Sequence, residues 1–582
     1  MTGALRSGTR TAVTNDEEAD EQFYRDTEAI AFPKIDDRQL AMLEPLGQRR
    51  VVRAGEVVFS AGQRDLGLVL VLSGELEVVE QRDGNELVLG TPGPRDFLGD
   101  ISMLTGTAAL ATARGKAEES EVLEIQAPQL RHALAELPGV SEPIVRAFMM
   151  RQKRLLRDRE FAGFRVVASA GSRDGHELHD FLQKNHIPHR LIPYEEPDGQ
   201  RLADRFNLTT RHLPVLITPA GAPLRRPSLR EVAQAAGLMR HLADDGATEI
   251  LCDVAIVGAG PAGLAAGVYA ASEGLRTVVL EGYAPGGQAG SSSLIENFFG
   301  FPTGISGSDL THRAQLQALR FGAKFSTPSN ALTLGFSDGE YGAELQLEGC
   351  GAALRAKAVI IATGADYMRL EAEGREEFER AGVYYAATAL EAQLCRDSTV
   401  IVVGGGNSAG QAAMFLSETA AKVLLVIRGE GLSATMSSYL SRRVETKENI
   451  EIRRRTVVSR MMGTKRLESV ELEHTQTGEK RTVQTAAVFS MIGAKPCTQW
   501  LPPEIERDEK GFIKTGSMVA DSASWKGAAR SPFILETSRP LVFAAGDVRS
   551  GSVKRCAAAV GEGGMAVAGV HQALAAMAAG AR

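Results

Sequence analysis

Four stretches of the chain carry different rhythms of apolar and polar residues. Residues 34–160 hold short alternating apolar runs punctuated by glycine: RRVVRAGEVVFSAG, LGLVLVLSGELEVVEQRDGNELVLG, FLGDISMLTG and EVLEIQ. Closely spaced short strands with glycine turns predict a small β-barrel or sandwich, and residues 127–157 behind them read as helical. Residues 162–246 alternate strand and helix, in FRVVASAG, HELHDFLQKNHI, HRLIPYE, LPVLITPAGAPL and LREVAQAAGL, which predicts a small α/β unit. From Asp253 the text DVAIVGAGPAGLAAGVYAASEGLRTVVLE reads as a buried strand, a glycine turn, a helix and a second strand, and TVIVVGGGNSAGQAAMFLSETAAKVLLVIRG repeats that order. Residues 1–33 are polar and contain the acidic run Asp16 to Glu21; they cannot bury much surface and are expected to form a flexible tail.

At 582 residues the chain exceeds what one core can organise, and roughly 150 residues per domain suggests three to four domains. The rhythms place two of these at 34–160 and 162–246; the division of the rest into 250–366 together with 493–582 and 367–492 is implied by a family resemblance carried by the motifs below. The expected fold class is therefore multidomain: a β-barrel, a small α/β unit and two Rossmann-like units. An apolar fraction of 44% and a charged fraction of 24% exclude a predominantly disordered chain. The net charge of -7 argues against a nucleic-acid partner, which would call for a basic surface. No run approaches the roughly 18 apolar residues of a membrane span, and the first residues are polar, so neither membrane nor export is expected and the location is read as cytoplasmic. The cysteines are Cys252, Cys350, Cys395, Cys497 and Cys556, isolated and without any CxxC, so neither a disulfide framework nor a metal centre is expected.

The glycine turns carry the chemistry. In the first, Gly258 makes the tight turn, Gly260 lets backbone approach a pyrophosphate, Gly263 lets helix and strand pack closely, and Glu281 accepts from ribose hydroxyls. In the second, Gly404, Gly406 and Ala409 open the helix with Asn407 and Ser408 at its start, and the following strand ends near Arg428 instead of at an acid. A carboxylate there would repel a 2′-phosphate and an arginine can pair with it, so NADPH is favoured over NADH.

Two such units, the second inserted between halves of the first, resemble the thioredoxin-reductase-like flavoproteins over residues 250–582. Further motifs carry the resemblance: Gly286-Gly287-Gln288, IENFFGFP with Asn297, the ATGA of Ala362 to Ala365 with Thr363 and Gly364, AAGDV with Asp547, and KRCAAAVGEG with Arg555 and Cys556. The resemblance implies bound FAD and NADPH, Asp547 at the flavin ribityl chain, a helix N-terminus facing the isoalloxazine, and a homodimer. It also implies a CATC segment followed by an acid, but here the text is GVYYAATALEAQL, which puts Ala386, Ala387, Thr388 and Ala389 on the tetrad and Leu390 on the acid. Alanine can neither attack a disulfide nor resolve one, so no residue is assigned as catalytic.

The N-terminal strands resemble a cyclic-nucleotide-binding domain, including the turns at Gly55, Gly74 and Gly99. That family's cassette has FGE and then an arginine for the cyclic phosphate. Here LGDISMLTGTAALATAR puts Asp100 on the Glu and Ala109 on the Arg, with Arg114 further along. A cyclic nucleotide, another ligand and a docking role all stay open. Residues 162–246 resemble a thioredoxin or glutaredoxin domain with Leu213-Pro214-Val215 at its cis-proline position. The loop Ser172 to His176 has no thiol where that family keeps two, so a spacer or docking platform is expected. The combined reading is an NADPH-dependent FAD oxidoreductase with an unidentified electron acceptor, its output modulated by the barrel. The alternatives are a catalytically weak redox sensor or interaction protein, and a thioredoxin-disulfide reductase fed by external thiols.

Overall fold

The computed structural model describes residues 15–580 except 83–84, 159–162, 240–241, 243–248, 293, 349–352, 380, 386, 388–391, 394, 433–435 and 465. The chain divides into two compact units. The first is Met1–Val167 with His186–Pro227 and Ala235–Gly237; the second is Ala168–Asn185 with Ser228–Gln234 and Leu238–Arg582.

In the first unit, helices α1 (Asn15–Ala31) and α2 (Asp37–Leu43) precede the strands β1 (Gln48–Arg53), β2 (Val57–Phe59), β3 (Leu68–Ser73), β4 (Leu76–Arg82), β5 (Asn85–Gly90) and β6 (Phe97–Leu98). Helix α3 (Ser102–Thr105), strands β7 (Thr112–Gly115) and β8 (Glu119–Ile125), and helices α4 (Ala127–Glu136) and α5 (Pro138–Arg157) follow. The strands form two four-stranded sheets, β1-β8-β3-β6 and β2-β7-β4-β5. Val52, Val69, Val71, Leu76, Leu98, Ala113 and Val122 from the two sheets form one buried cluster, as the period-two alternation requires.

The acidic run does not belong to a tail. Asn15–Ala31 is helical and packs on α5, and only residues 1–14 of the expected tail lie outside the described residues. The cause is a ladder of arginines three residues apart on α5, a spacing that puts them on one helix face. Arg157 lies 4.6 Å from the Phe23 ring centroid, Arg154 5.0 Å from that of Tyr24, and Arg151 5.0 Å from that of Phe32. Asp20 pairs with Arg157, and Glu28 with Arg154 at 2.7 Å. Acids that cannot build a core alone thus become the polar edge of a helix docked on cations.

Arg151 goes deeper. Its guanidinium donates to the carbonyls of Ala31 at 2.7 Å, Phe97 at 3.1 Å and Gly99 at 2.5 Å, and lies 4.4 Å from the Phe97 ring centroid. Burial lowers its pKa to about 10, with Asp100 and Asp96 opposing, so it stays charged at neutral pH.

The first unit also holds the sheet β10-β9-β11-β12, built from β9 (Phe164–Ala168), β10 (His189–Pro193), β11 (Val215–Ile217) and β12 (Pro223–Arg225). Helix α6 (Arg173–Lys184), between β9 and β10, falls in the second unit; α7 (Pro197–Phe206) runs between β10 and β11; and α8 (Leu229–Ala236), after β12, falls in the second unit up to Gln234. The Leu213–Pro214 peptide is cis.

The second unit contains the two dinucleotide-type sheets. The first starts with β13 (Ile250–Val257), α9 (Pro261–Ser272) and β14 (Thr277–Leu280), followed by α10 (Gly287–Gly290), α11 (Gly307–Arg320) and β15 (Lys324–Ser326). Strands β16 (Ala331–Phe336), β17 (Ala343–Leu347) and β18 (Leu354–Ile361) complete the order β15-β14-β13-β18-β17-β16, and Val542–Ala544 returns late in the chain to pair with β18 in parallel. Strand β19 (Ala365–Tyr367) then leads out of this sheet. The second sheet is all parallel, in the order β20-β24-β21-β22-β23, from β20 (Val383–Tyr384), β21 (Thr399–Val403), β22 (Lys422–Val426), β23 (Ile450–Arg453) and β24 (Ala487–Ser490). Its helices are α12 (Asn407–Leu416) and α13 (Ser438–Thr446). Strand β25 (Ala494–Pro496) pairs antiparallel with β19, so one two-stranded connection carries the chain out of the first sheet and back. The last long helix, α14 (Cys556–Ala578), packs along α9. Among the described residues no helix is long and apolar enough to cross a membrane.

Arg151→Met keeps an unbranched apolar stem and removes the guanidinium donors. It is expected to destabilise the barrel by about 2–4 kcal/mol, because three buried carbonyls lose their partner. Chemical denaturation of the full-length protein measures this, and a loss under about 0.5 kcal/mol would mean that water replaces the guanidinium.

Candidate functional site

The first glycine turn forms because two positions have no room for a side chain and a third stays open to a ligand. Gly258 adopts φ +101°, and a Cβ there would stand 2.4 Å from the Ala362 carbonyl oxygen. At Gly263 a Cβ would lie 1.8 Å from the Gly258 carbonyl oxygen, so α9 can start this close to β13 only with glycine. Gly260, the residue capping α9, faces open space within 4 Å of where its Cβ would be. Unsatisfied amides at a helix start, next to a clear approach, form an anion site. Gly287 closes the other side: its Cβ would be 3.1 Å from the Gly260 Cα, and Gly286 holds φ +116°.

Glu281 follows β14. One carboxylate oxygen accepts the Ala259 N–H at 2.8 Å and the other the Tyr283 N–H at 3.0 Å. Burial pushes its pKa up, and those backbone donors oppose the shift. Gln288 donates its amide to the Ala365 carbonyl, and Thr363 Oγ1 donates to the Cys497 carbonyl at 2.8 Å, beside Gly364 at φ +65°. Asp547 has no hydrogen-bond partner among the described residues. Burial raises its pKa, Lys554 opposes the shift and Glu562 reinforces it. A half-buried acceptor without a donor fits a ligand that brings hydroxyls. These features together fit FAD. Asn297 is exposed on the loop after Ile295, and the described contacts do not join it to this group. Arg555 caps α14 and Cys556 begins it.

The sequence reading missed what holds Asp547 in place. Glu562, the seventh residue of α14, accepts the Gly546 N–H at 2.7 Å, and its carboxylate takes two donors of Arg549, at 3.2 Å and 2.5 Å. A lone acid in the apolar helix sequence CAAAVGEGGMAVAGV was the available signal.

In the second unit of this kind, Gly404 at φ +143° would put a Cβ 2.3 Å from the Met491 carbonyl oxygen, and Gly406 caps α12. Ala409 is buried. Asn407 accepts the Ser437 N–H at 2.8 Å and Ser408 is exposed. Arg428 is exposed just beyond β22. The Ile427 N–H donates to Arg453 and the Arg455 N–H to Gly429, so Arg428 and Arg454 stand at adjacent strand ends. Arg453 is paired with Glu451 and Arg455 with Glu430. Arg428 and Arg454 have no carboxylate partner among the described residues, which leaves two cations for a phosphate. Arg454 was not singled out from sequence because the run Arg453-Arg454-Arg455 does not show which member is neutralised.

Of the tetrad, Ala386, Thr388 and Ala389 lie outside the described residues, as does Leu390; Ala387 is buried. The thiols with resolved shifts all move away from reactivity. Burial, then Asp253, pushes Cys252 up to about 12; burial, then Asp366, pushes Cys497 up to about 12; burial, then Asp547, pushes Cys556 up to about 11. All three are protonated at neutral pH, and the thiol is a poor nucleophile.

Residues 252–563 match the family model described as pyridine nucleotide-disulphide oxidoreductase, and residues 49–136 match that of the cyclic nucleotide-binding domain. The chain is 34% identical to the thioredoxin reductase of Treponema pallidum over 314 residues, which is 54% of this chain and 94% of that protein. It is also 34% identical to the thioredoxin reductase of Schizosaccharomyces pombe, over 53% of this chain and 93% of that protein. The crystal structure of T. acidophilum thioredoxin reductase is 29% identical with a TM-score of 0.49, covering 55% of this chain and 98% of that one.

Glu562→Gln keeps the shape of the side chain and removes the charge that anchors Arg549. It is expected to weaken FAD retention about tenfold, since a charged hydrogen bond contributes about 1.5–3 kcal/mol. The check is the released flavin after dialysis; retention equal to wild type would free Asp547 from dependence on this clamp.

Proposed function

Because the chain belongs to the pyridine nucleotide-disulphide oxidoreductase family, we propose that it is an NADPH-dependent FAD oxidoreductase that delivers electrons to an acceptor without any redox-active thiol pair of its own. The observation that carries this reading is the thiol inventory. The sequence has alanines at 386 and 389, and Cys252, Cys497 and Cys556 are each raised well above neutral pH.

When bound, FAD would supply hydride acceptance from a nicotinamide and onward electron transfer, chemistry that needs no protein nucleophile. The chain's own residues bind and orient. The amides at the start of α9 suit the pyrophosphate, Glu281 the adenosine ribose and Asp547 the ribityl hydroxyls. The amides at the start of α14 favour negative charge placed before them. Arg428, with Arg454 beside it, suits a 2′-phosphate. The acceptor then belongs among quinones, oxygen, one-electron carriers and small organic oxidants that need no thiol relay. The sheet order β10-β9-β11-β12 supports a thioredoxin-like reading of residues 162–246, and this stretch of the sequence contains no cysteine.

The purified yellow protein is expected to bleach within seconds when NADPH is added under anaerobic conditions, while turnover with a thioredoxin disulfide stays at background. No bleaching with either nicotinamide would remove the oxidoreductase reading. Thioredoxin reduction that survives loss of Cys395 and Cys556 would restore disulfide chemistry. Arg428→Ala is expected to raise the KM for NADPH by about 10- to 100-fold and leave that for NADH nearly unchanged, as loss of a charged phosphate contact implies. Steady-state kinetics with both nucleotides tests this, and equal effects on the two would rule out a phosphate role.

A further inference from the structure

The turn that carries the chain from α3 into β7, residues 106–109, is where the barrel's family resemblance expects an anion. Here its groups are already engaged. The Ala108 N–H donates to the Ala236 carbonyl at 3.0 Å. Ala109 donates its N–H to Gln63 at 2.9 Å, accepts the Gly62 N–H at 2.8 Å, and is only 2% exposed. Gly237 sits against the same turn at φ +78°; a Cβ there would lie 2.9 Å from the Gly106 carbonyl oxygen, 2.9 Å from the Thr107 Cα and 3.0 Å from the Ala108 nitrogen. These are backbone atoms that cannot swing aside.

The arginines nearest the family's phosphate position are also unavailable. Position 109 holds alanine. Arg114 points its donors elsewhere, to Glu77 at 2.6 Å and to both oxygens of Glu86 at 3.1 Å and 2.9 Å. Arg151 is spent on three backbone carbonyls. What remains is a neutral turn with a buried N–H, and a neutral carbonyl is the acceptor that suits it.

We infer that the turn at 106–109 is a socket for Ala236 and Gly237 of the same chain, and that this segment, in place of a cyclic nucleotide, is the barrel's resident ligand. The Ala108 N–H cannot serve the Ala236 carbonyl and a phosphate oxygen together. The close fit at Gly237 holds the segment's backbone directly against residues 106–108. The inference concerns the barrel alone and stands whichever acceptor the flavin serves.

Hydrogen–deuterium exchange on the full-length, FAD-loaded protein tests it. In the wild type, peptides covering 105–110 and 233–239 are expected to be protected. Ala108→Pro removes the donor without altering the segment, and Gly237→Val drives a side chain into the turn. Each is expected to speed exchange in residues 233–239 by about tenfold or more, with the strand Leu68–Ser73 unchanged as the sign that the barrel stays folded. Calorimetry with cAMP and cGMP on the wild type is expected to give no heat of binding, and this readout does not depend on either variant folding. Exchange in 233–239 that ignores Ala108→Pro while Leu68–Ser73 stays protected would overturn the inference. So would a cyclic nucleotide that binds the wild type and leaves 233–239 protected.

Discussion

How near one backbone can come to another around α9 governs the flavin half of the molecule. Gly263 lets that helix begin against the Gly258 carbonyl, and Gly563 of α14 would place a Cβ 2.3 Å from the Ala262 carbonyl oxygen. Gly546, just before Asp547, comes close to the same residue, with a Cβ position 2.9 Å from that of Ala262. One short stretch of helix is therefore gripped from three directions by residues without side chains. The anion-binding amides, the carboxylate of Glu281 and the half-buried Asp547 take their positions from it. A methyl group at any of these contacts would move several parts of the cofactor cradle at once.

This explains which parts of the site could be read from the chain alone. A missing side chain is written directly in the sequence, so both glycine turns and their following strands were legible. The partner of a charged side chain is not written there. Glu562 and Arg549 are thirteen residues apart, with a turn between them, and no local pattern pairs them. Arg428 could be named because its position after a strand has a meaning; Arg454 becomes its neighbour only through the parallel pairing of β22 with β23. Asn297 shows the reverse case, a residue identified by its motif for which the described contacts supply no partner.

The N-terminal region went the same way. The strands were legible from alternation, because each face of a sheet imposes its own polarity. The acidic run from Asp16 was expected to stay loose because so polar a stretch cannot bury much surface. Asp20 finds its partner on α5, where arginines spaced by three residues hold the helix in place. The substitution of Ala109 for an arginine was visible from the start. That the same turn is met by Ala236 and Gly237 could be learned only from the fold, since more than a hundred residues separate them.

The course of the chain between the barrel and the flavin sheets has a consequence for how such a protein could arise or be taken apart. The backbone passes between the two compact units after residues 167, 185, 227, 234 and 237. A single cut anywhere in that stretch leaves each fragment without a piece that the other fragment holds. Modules joined by a plain tether can be exchanged between genes as whole cassettes. These two take their segments alternately along the chain, so recombination that swaps one for a homologue must carry the intervening stretch with it.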